Sequence, residues 1–223
     1  MCYVLHMAHR MFGNPVGSSR QKVFPLLNID SYILGLWSAD GYLRSSSFGL
    51  TSIYPILIDR FRAFLRLYFD NSRIKVRKYL PMKDFYQYDF AKNPKVYLLK
   101  KAKHPAYQIY VNCRPFIRAF FNEDLQKRSV LQNTQAYFAG RFDGDGSVSK
   151  NLKNDFRIAY TTFEDAQRDQ KYVNILSSTI TSSIYHYEHA KTFVLYIHTD
   201  ASHEFLRLIE PYSAKAQKLL VAP

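Results

Sequence analysis

The sequence predicts an α+β fold of two related lobes, each running helix, strand, strand, helix, strand, strand, helix (αββαββα). Three observations predict it. Tyr32–Gly41 (YILGLWSADG) returns about 105 residues later as Tyr137–Gly146 (YFAGRFDGDG), with Tyr32, Gly35, Asp40 and Gly41 matched by Tyr137, Gly140, Asp145 and Gly146. Behind each copy the same order of segments follows, Ser52 and Thr162 and then Ile74 and Ile184 lying at an offset of about 110. Between the helical patterns lie short segments that alternate apolar and polar residues, the period of a strand with one wet face. A repeat of this length points to a duplicated unit.

Each copy of the repeat reads as a helix. Asn133, and Asn28 or Asp30, supply the short oxygen-bearing side chain that accepts an orphan amide at a helix start. Gly41 and Gly146 read as stops in the left-handed conformation. Gly35 and Ala39, like Gly140 and Gly144, are four apart, so each helix has a face of small residues. Such a face lets a second backbone come close. Two such helices in one chain are expected to pack on each other and bring Asp40 and Asp145 to one end.

In order, residues 1–27 form an N-terminal extension, 28–122 the first lobe, 123–132 a polar linker and 133–223 the second lobe. After the first repeat helix, a hairpin turns at Ser45–Ser47, with Phe48 and Leu50 inward and Ser47, Gly49 and Thr51 outward. Pro55 opens a helix. Arg73–Tyr79 (RIKVRKY) then alternates, Ile74 and Val76 facing one way and Arg73, Lys75 and Arg77 the other. An irregular stretch rich in Tyr and Lys leads to the strand Ala106–Asn112, with Tyr107, Ile109 and Val111 inward and Gln108 and Tyr110 outward. Pro115 starts the closing helix. The second lobe repeats this order, its hairpin turning at about Leu152–Asp155 and its later strands carrying Tyr185, Tyr187 and Tyr196. Each lobe is expected to present a four-stranded antiparallel sheet with one face on helices and one face wet.

The net charge is +13 and the sequence pI about 9.6, so a polyanion is the natural partner. A sheet can enter the major groove of a duplex and read base edges. Arg44, Ser47, Thr51, Arg73, Lys75, Arg77, Tyr79, Gln108 and Tyr110 are the candidates on the first wet face. Lys150, Lys153, Arg157, Tyr185, Tyr187, Lys191 and Tyr196 are those on the second. Lys100, Lys101 and Lys103, in a lysine-rich loop, are placed to meet phosphates, which adds affinity without sequence information. Most of the 18 Tyr and 17 Phe rings are expected in the core. The two cysteines, Cys2 and Cys113, are too few for a disulfide framework, and an intracellular, reducing compartment is the default, cytoplasm or organelle matrix. No apolar run reaches the ~18–20 residues of a membrane span, so no membrane partner is expected.

The paired stretches resemble the nine-position motif of the LAGLIDADG homing endonucleases, read here as ILGLWSADG (Ile33–Gly41) and FAGRFDGDG (Phe138–Gly146). The resemblance covers about residues 28–210. It implies two pseudo-symmetric lobes joined by paired motif helices, their sheets forming a saddle over DNA. It implies a single-chain, monomeric, intron-encoded enzyme that hydrolyses one phosphodiester in each strand of a long, asymmetric double-stranded DNA site. The eighth-position acids, Asp40 and Asp145, with Gly41 and Gly146 beside them, are then the metal site: Mg²⁺, with Mn²⁺ able to substitute and Ca²⁺ supporting binding only. Carboxylates with phosphate oxygens and water make the hard oxygen site such an ion takes. Arg114 is the candidate basic helper, and Ser52 and Thr162 occupy strand ends where the family often has a water-positioning group. The alternatives in the same fold are an RNA-binding intron maturase and a DNA-binding protein that does not cut.

Two positions depart from the pattern. The sixth, often acidic, is Ser38 in one copy and Asp143 in the other. The fourth, usually apolar, is Leu36 in one and Arg141 in the other. Arg141 lies one helical turn before Asp145, where it would lower that carboxyl's pKa and compete with metal for its oxygens. Otherwise it bridges to another acid or reaches solvent.

Overall fold

The computed structural model describes residues 24–26, 28–83, 96–148 and 155–221. The first repeat is helix α1 (Ser31–Asp40), buried on nearly every side, as befits a helix that is apolar all round. Two compact units divide the chain. One comprises Asp40–Ala119 with Phe24 and Pro25; the other comprises Leu26–Ala39 with the chain from Phe120 onward, so most of α1 groups with the second half.

In the Asp40–Ala119 unit, β1 (Gly41–Arg44) and β2 (Ser47–Ser52) form the expected hairpin, with Ser45 in the left-handed region at φ 35°. Helix α2 (Pro55–Arg66) follows, Pro at its first position where no amide bond is lost. Strands β3 (Lys75–Pro81), β4 (Val96–Leu99) and β5 (Ala106–Asn112) complete a sheet of order β1-β2-β5-β3-β4. Helix α3 (Arg114–Phe120) comes next.

This sheet departs from the expected four antiparallel strands. The extra strand β4 comes from the stretch read as irregular and runs parallel to β3, pairing Tyr79 with Tyr97. Val96–Leu99 is a strand-prone quartet, and the connection of about 14 residues from β3 is long enough for the crossover a parallel pair needs. A second correction concerns Arg73, which sits in a single 3-10 turn (Asn71–Arg73) ahead of β3 rather than in it. Helix α2 covers β2 and β5. Phe116 is the hub of the core, with the rings of Phe24, Phe48 and Phe69 at 5.1–5.2 Å. Much of the aromatic content is used in this way.

The other unit holds α1, α4 (Glu123–Gln132), α5 (Thr134–Asp145), β6 (Gly146–Val148), β7 (Phe156–Tyr160), α6 (Phe163–Leu176), β8 (Ser182–Tyr187), β9 (Thr192–Ile197), α7 (Thr199–Ile209) and α8 (Ala214–Val221). Its sheet, β6-β7-β9-β8, is antiparallel throughout. The segment expected as a polar linker is helix α4, capped by Asn122, whose Oδ1 accepts the Leu125 amide at 2.8 Å; Leu125, Ser129 and Val130 are its buried side. The hairpin turn expected at Leu152–Asp155 falls mostly outside the described residues. Phe138, Phe142, Phe156 and Phe205 fill the core between α5, α7 and the sheet.

Helices α1 and α5 start as the sequence indicates. Asp30 Oδ1 accepts the Ile33 amide at 3.0 Å, and Asn133 Oδ1 the Ala136 amide at 2.9 Å. At the glycines their backbones meet. A Cβ on Gly35 would strike the Tyr137 carbonyl, and one on Gly140 would strike the Tyr32 carbonyl. The two contacts are exchanged by the repeat, position 32 facing 140 and position 137 facing 35.

Candidate functional site

Asp40 is the last residue of α1 and Asp145 the last of α5, each half-buried. Burial raises the pKa of Asp145, and the charges of Arg141 and Lys215 oppose that rise. Gly146 is extended (φ −77°, ψ 149°) rather than left-handed, so its reason for being glycine is different: a Cβ there would collide with Phe142.

Asp143, the sixth motif position, is buried and used up. It accepts the Tyr32 hydroxyl at 2.7 Å, the Ser213 hydroxyl at 2.5 Å, and the Ala214 and Lys215 amides at 2.9 Å each. The last two are the first amides of α8, so Asp143 and the N-cap Ser213 seat that helix together. The seating sends Lys215 back along α5. Its Nζ donates to the Phe142 and Gly146 carbonyls, both at 2.8 Å. These are oxygens at the negative end of the helix that carries Asp145.

Arg141 takes the second of its two expected courses. Its Nε faces Asp169 Oδ2 at 3.3 Å without the alignment of a hydrogen bond, and its guanidinium lies 4.3 Å from the centre of the Tyr160 ring. Asp169 also accepts the hydroxyls of Tyr137 and Tyr160 at 3.0 Å and Arg168 Nε at 3.3 Å. Burial, reinforced by the Asp169 charge, raises both tyrosines' pKa values and keeps them protonated donors. Arg141 still acts on Asp145 through space, but its own carboxylate is Asp169.

Strand register collects the sheet candidates. In the first sheet Arg44 pairs with Ser47, Thr51 with Gln108, Arg77 with Gln108, and Lys75 with Tyr110. Directly opposed residues share a face, so these side chains and Tyr79 form one surface. Gln108 ties it laterally, accepting the Tyr79 hydroxyl at 3.1 Å and donating to Thr51 at 3.3 Å. Arg77 stacks over Tyr110 at 4.8 Å, its pKa raised by the Tyr79 hydroxyl. In the second sheet Arg157 pairs with Tyr196 and lies over its ring at 4.7 Å, and Tyr185 packs edge-on to Tyr196 at 4.9 Å. Tyr187 hydrogen-bonds Tyr196, and burial together with that bond lifts the Tyr196 pKa to about 12. These tyrosines, with Asp155, His198 and Thr199, line a groove of about 360 Å³.

The remaining candidates are placed differently. Ser52 is buried on the opposite, helix-covered face, where its Oγ accepts the Tyr54 amide at 3.3 Å. Thr162 is the N-cap of α6, bonded to the amide and carboxylate of Asp165. Arg114 is exposed at the start of α3, and Lys100, Lys101 and Lys103 are exposed in the turn after β4. Lys191 is exposed at the β8–β9 turn with φ 49°. Lys150 and Lys153 lie outside the described residues. Sequence reading missed Lys215 and Asp169. Ala166, Asp169 and Val173 share the buried side of α6, so an acid on an apolar stripe was the available sign of a buried partner. Among the described residues no group of three or more His, Cys, Asp or Glu side chains could hold a metal ion.

No protein-family model matches the sequence, and neither does any curated protein. Solved structures do match. A mesophilic variant of the homing endonuclease I-DmoI aligns with 86% of this chain and 96% of its own, at TM-score 0.58 and 18% identity. I-DmoI in complex with DNA and Ca aligns over the same shares at 0.57 and 18%. The fold is of the LAGLIDADG type. Full-length DUF199/WhiA from Thermatoga maritima matches 92% of this chain but 61% of its own length, at TM-score 0.54 and 16% identity. The N-terminal LAGLIDADG domain of DUF199/WhiA matches 80% of each chain at 0.51.

Proposed function

We propose that the chain is a site-specific homing endonuclease that binds double-stranded DNA and hydrolyses one phosphodiester in each strand with a divalent metal. The observation that carries this reading is the ending of both motif helices in an acid, on helices whose backbones meet through Gly35 and Gly140. The helix contact supports taking α1 and α5 as the family's motif pair. The I-DmoI complexes with target DNA and with Mn, Ca or Mg support duplex DNA as the partner and a divalent ion as the cofactor.

Asp145 suits a cation. Its carboxylate ends a helix whose last carbonyls already attract an ammonium group, so the donors are oxygen and the field is negative. Asp40 and Asp145 would hold the metal, which when bound activates water and neutralises charge on phosphate. The chain's own residues do the positioning. Arg44, Lys75, Arg77 and Arg157 neutralise phosphates or donate to base edges, with tyrosine rings beside Arg77 and Arg157 to fix their direction. Arg114 is the basic helper in this reading, in exposed surroundings. The local bonds of Ser52 and Thr162 support structural use rather than water positioning.

The test is cleavage of a plasmid library in Mg²⁺. An endonuclease linearises a subset of sequences; Asp40→Asn and Asp145→Asn linearise none. A second reading, a LAGLIDADG protein that binds without cutting, draws support from Lys215 on the Gly146 carbonyl, and retention of the library without linearisation would favour it.

A further inference from the structure

The second motif departs from the first at two positions, and one of them, Asp143, leads to the C-terminal helix. Asp143 stands where the first copy has Ser38 and spends its carboxylate on the N-terminus of α8. Ser38 instead bonds back within its own helix, to the Leu34 carbonyl at 2.8 Å. Seating α8 on Asp143 fixes the direction of Lys215, whose ammonium caps the Phe142 and Gly146 carbonyls and lies 5.3 Å from the Phe142 ring centre. A half-buried lysine bonded to two helix-end carbonyls and coupled to the last acid of that helix occupies the place of a bound cation.

We infer that Lys215 is a built-in counter-cation of the Asp145 site, which holds the Gly146 oxygen and competes with a divalent ion for it. This rests on the reading of Asp145 as a metal-binding acid. An ammonium and a divalent ion cannot share the same carbonyl and field without mutual repulsion. Metal binding at Asp145 therefore requires Lys215 to withdraw or leaves the Gly146 carbonyl out of the coordination shell. The site is a weak metal site by construction, and α8 sets how weak.

Mn²⁺ binding to the full chain, read by electron paramagnetic resonance of the free ion, tests this. Lys215→Met is expected to bind one Mn²⁺ at least about tenfold tighter than the parent chain. Lys215→Arg, which keeps the charge, should stay within about twofold. Adding Asp145→Asn to Lys215→Met should remove the gain. Equal affinity in the parent and in Lys215→Met, with the melting midpoint retained, overturns the inference, as does a gain that survives Asp145→Asn. Should Lys215→Met unfold, Lys215→Gln decides by the same criteria, since its amide can still donate to the carbonyls without charge. The outcome is independent of cleavage: an inactive chain that gains an Asp145-dependent Mn²⁺ site upholds the inference, and an active chain without the gain refutes it.

Discussion

Arg141 and Asp169 form a buried ion pair, 3.3 Å apart and both almost fully enclosed, in which the unusual cation of the second motif finds the unusual acid of helix α6. Removing one partner of such a pair leaves an uncompensated buried charge. Arg141→Leu should therefore lower stability by about 2–4 kcal/mol, somewhat less than for an isolated pair because Tyr137, Tyr160 and Arg168 still donate to Asp169. Urea denaturation measures this, and Asp169→Asn in the same background should recover part of the loss. Any difference between the cutting rates of the two strands should persist in Arg141→Leu wherever it folds.

Asp145 is held at a cost to stability. Its folded pKa is raised by burial above the unfolded value, so at a pH between the two the native state binds more protons. Stability from this group is greatest below the unfolded pKa and falls as pH rises through the folded one. Asp145→Asn should then raise the melting midpoint at neutral pH by about 1–3 °C while abolishing Mg²⁺-dependent linearisation. A lowered midpoint in calorimetry would contradict the burial argument.

Gly35→Ala and Gly140→Ala test the helix contact. Alanine is intrinsically better in a helix by about 1 kcal/mol. Here its methyl group would meet a carbonyl of the facing backbone, which cannot turn aside as a side chain can. Each substitution should be net destabilising, by about 1–3 kcal/mol. The same change at Gly144, whose aligned partner is already Ala39, should be milder.

Recognition should be unequal in the two halves of a target. The first sheet offers Arg44, Lys75 and Arg77; the second offers Arg157 among tyrosines. Arginine and lysine donate to guanine O6 and N7. A base-by-base cleavage profile should show stricter guanine requirements under the first sheet. Lys75→Ala should flatten the log–log salt dependence of binding by about 0.9 if that lysine meets one phosphate. An unchanged slope would move Lys75 from phosphate contact to base reading.

Much of this was legible in the chain because repeat and alternation are local in sequence. The motif helices, the β1–β2 hairpin, α2 and the outward faces of β3 and β5 follow from spacing alone. Strand β4 was hidden because Val96–Leu99 is too short to show alternation and its partner precedes it by a long crossover. Helix α4 was hidden by its polar composition, with Leu125 and Val130 its buried apolar residues and a serine, Ser129, buried beside them. The seating of α8 was out of reach for a different reason. Asp143 and Ala214 are 71 residues apart, and nothing in either segment names the other. Arg141 was visible as a misfit at an apolar motif position, but its partner Asp169 was not picked out, and only the fold brings them together.

The exchanged contact between positions 32 and 140 and between 137 and 35 has the form of an isologous interface contained in one polypeptide. In an assembly of identical copies every substitution enters twice, and a change tolerated at one end must also be tolerated at the other. A contact made within one chain is free of that requirement. Leu36 can remain apolar while its mate is Arg141, and Ser38 can close on its own helix while Asp143 recruits the C-terminal one. One gene therefore carries two inheritable solutions to the same helix crossing, and each half can specialise without the consent of the other.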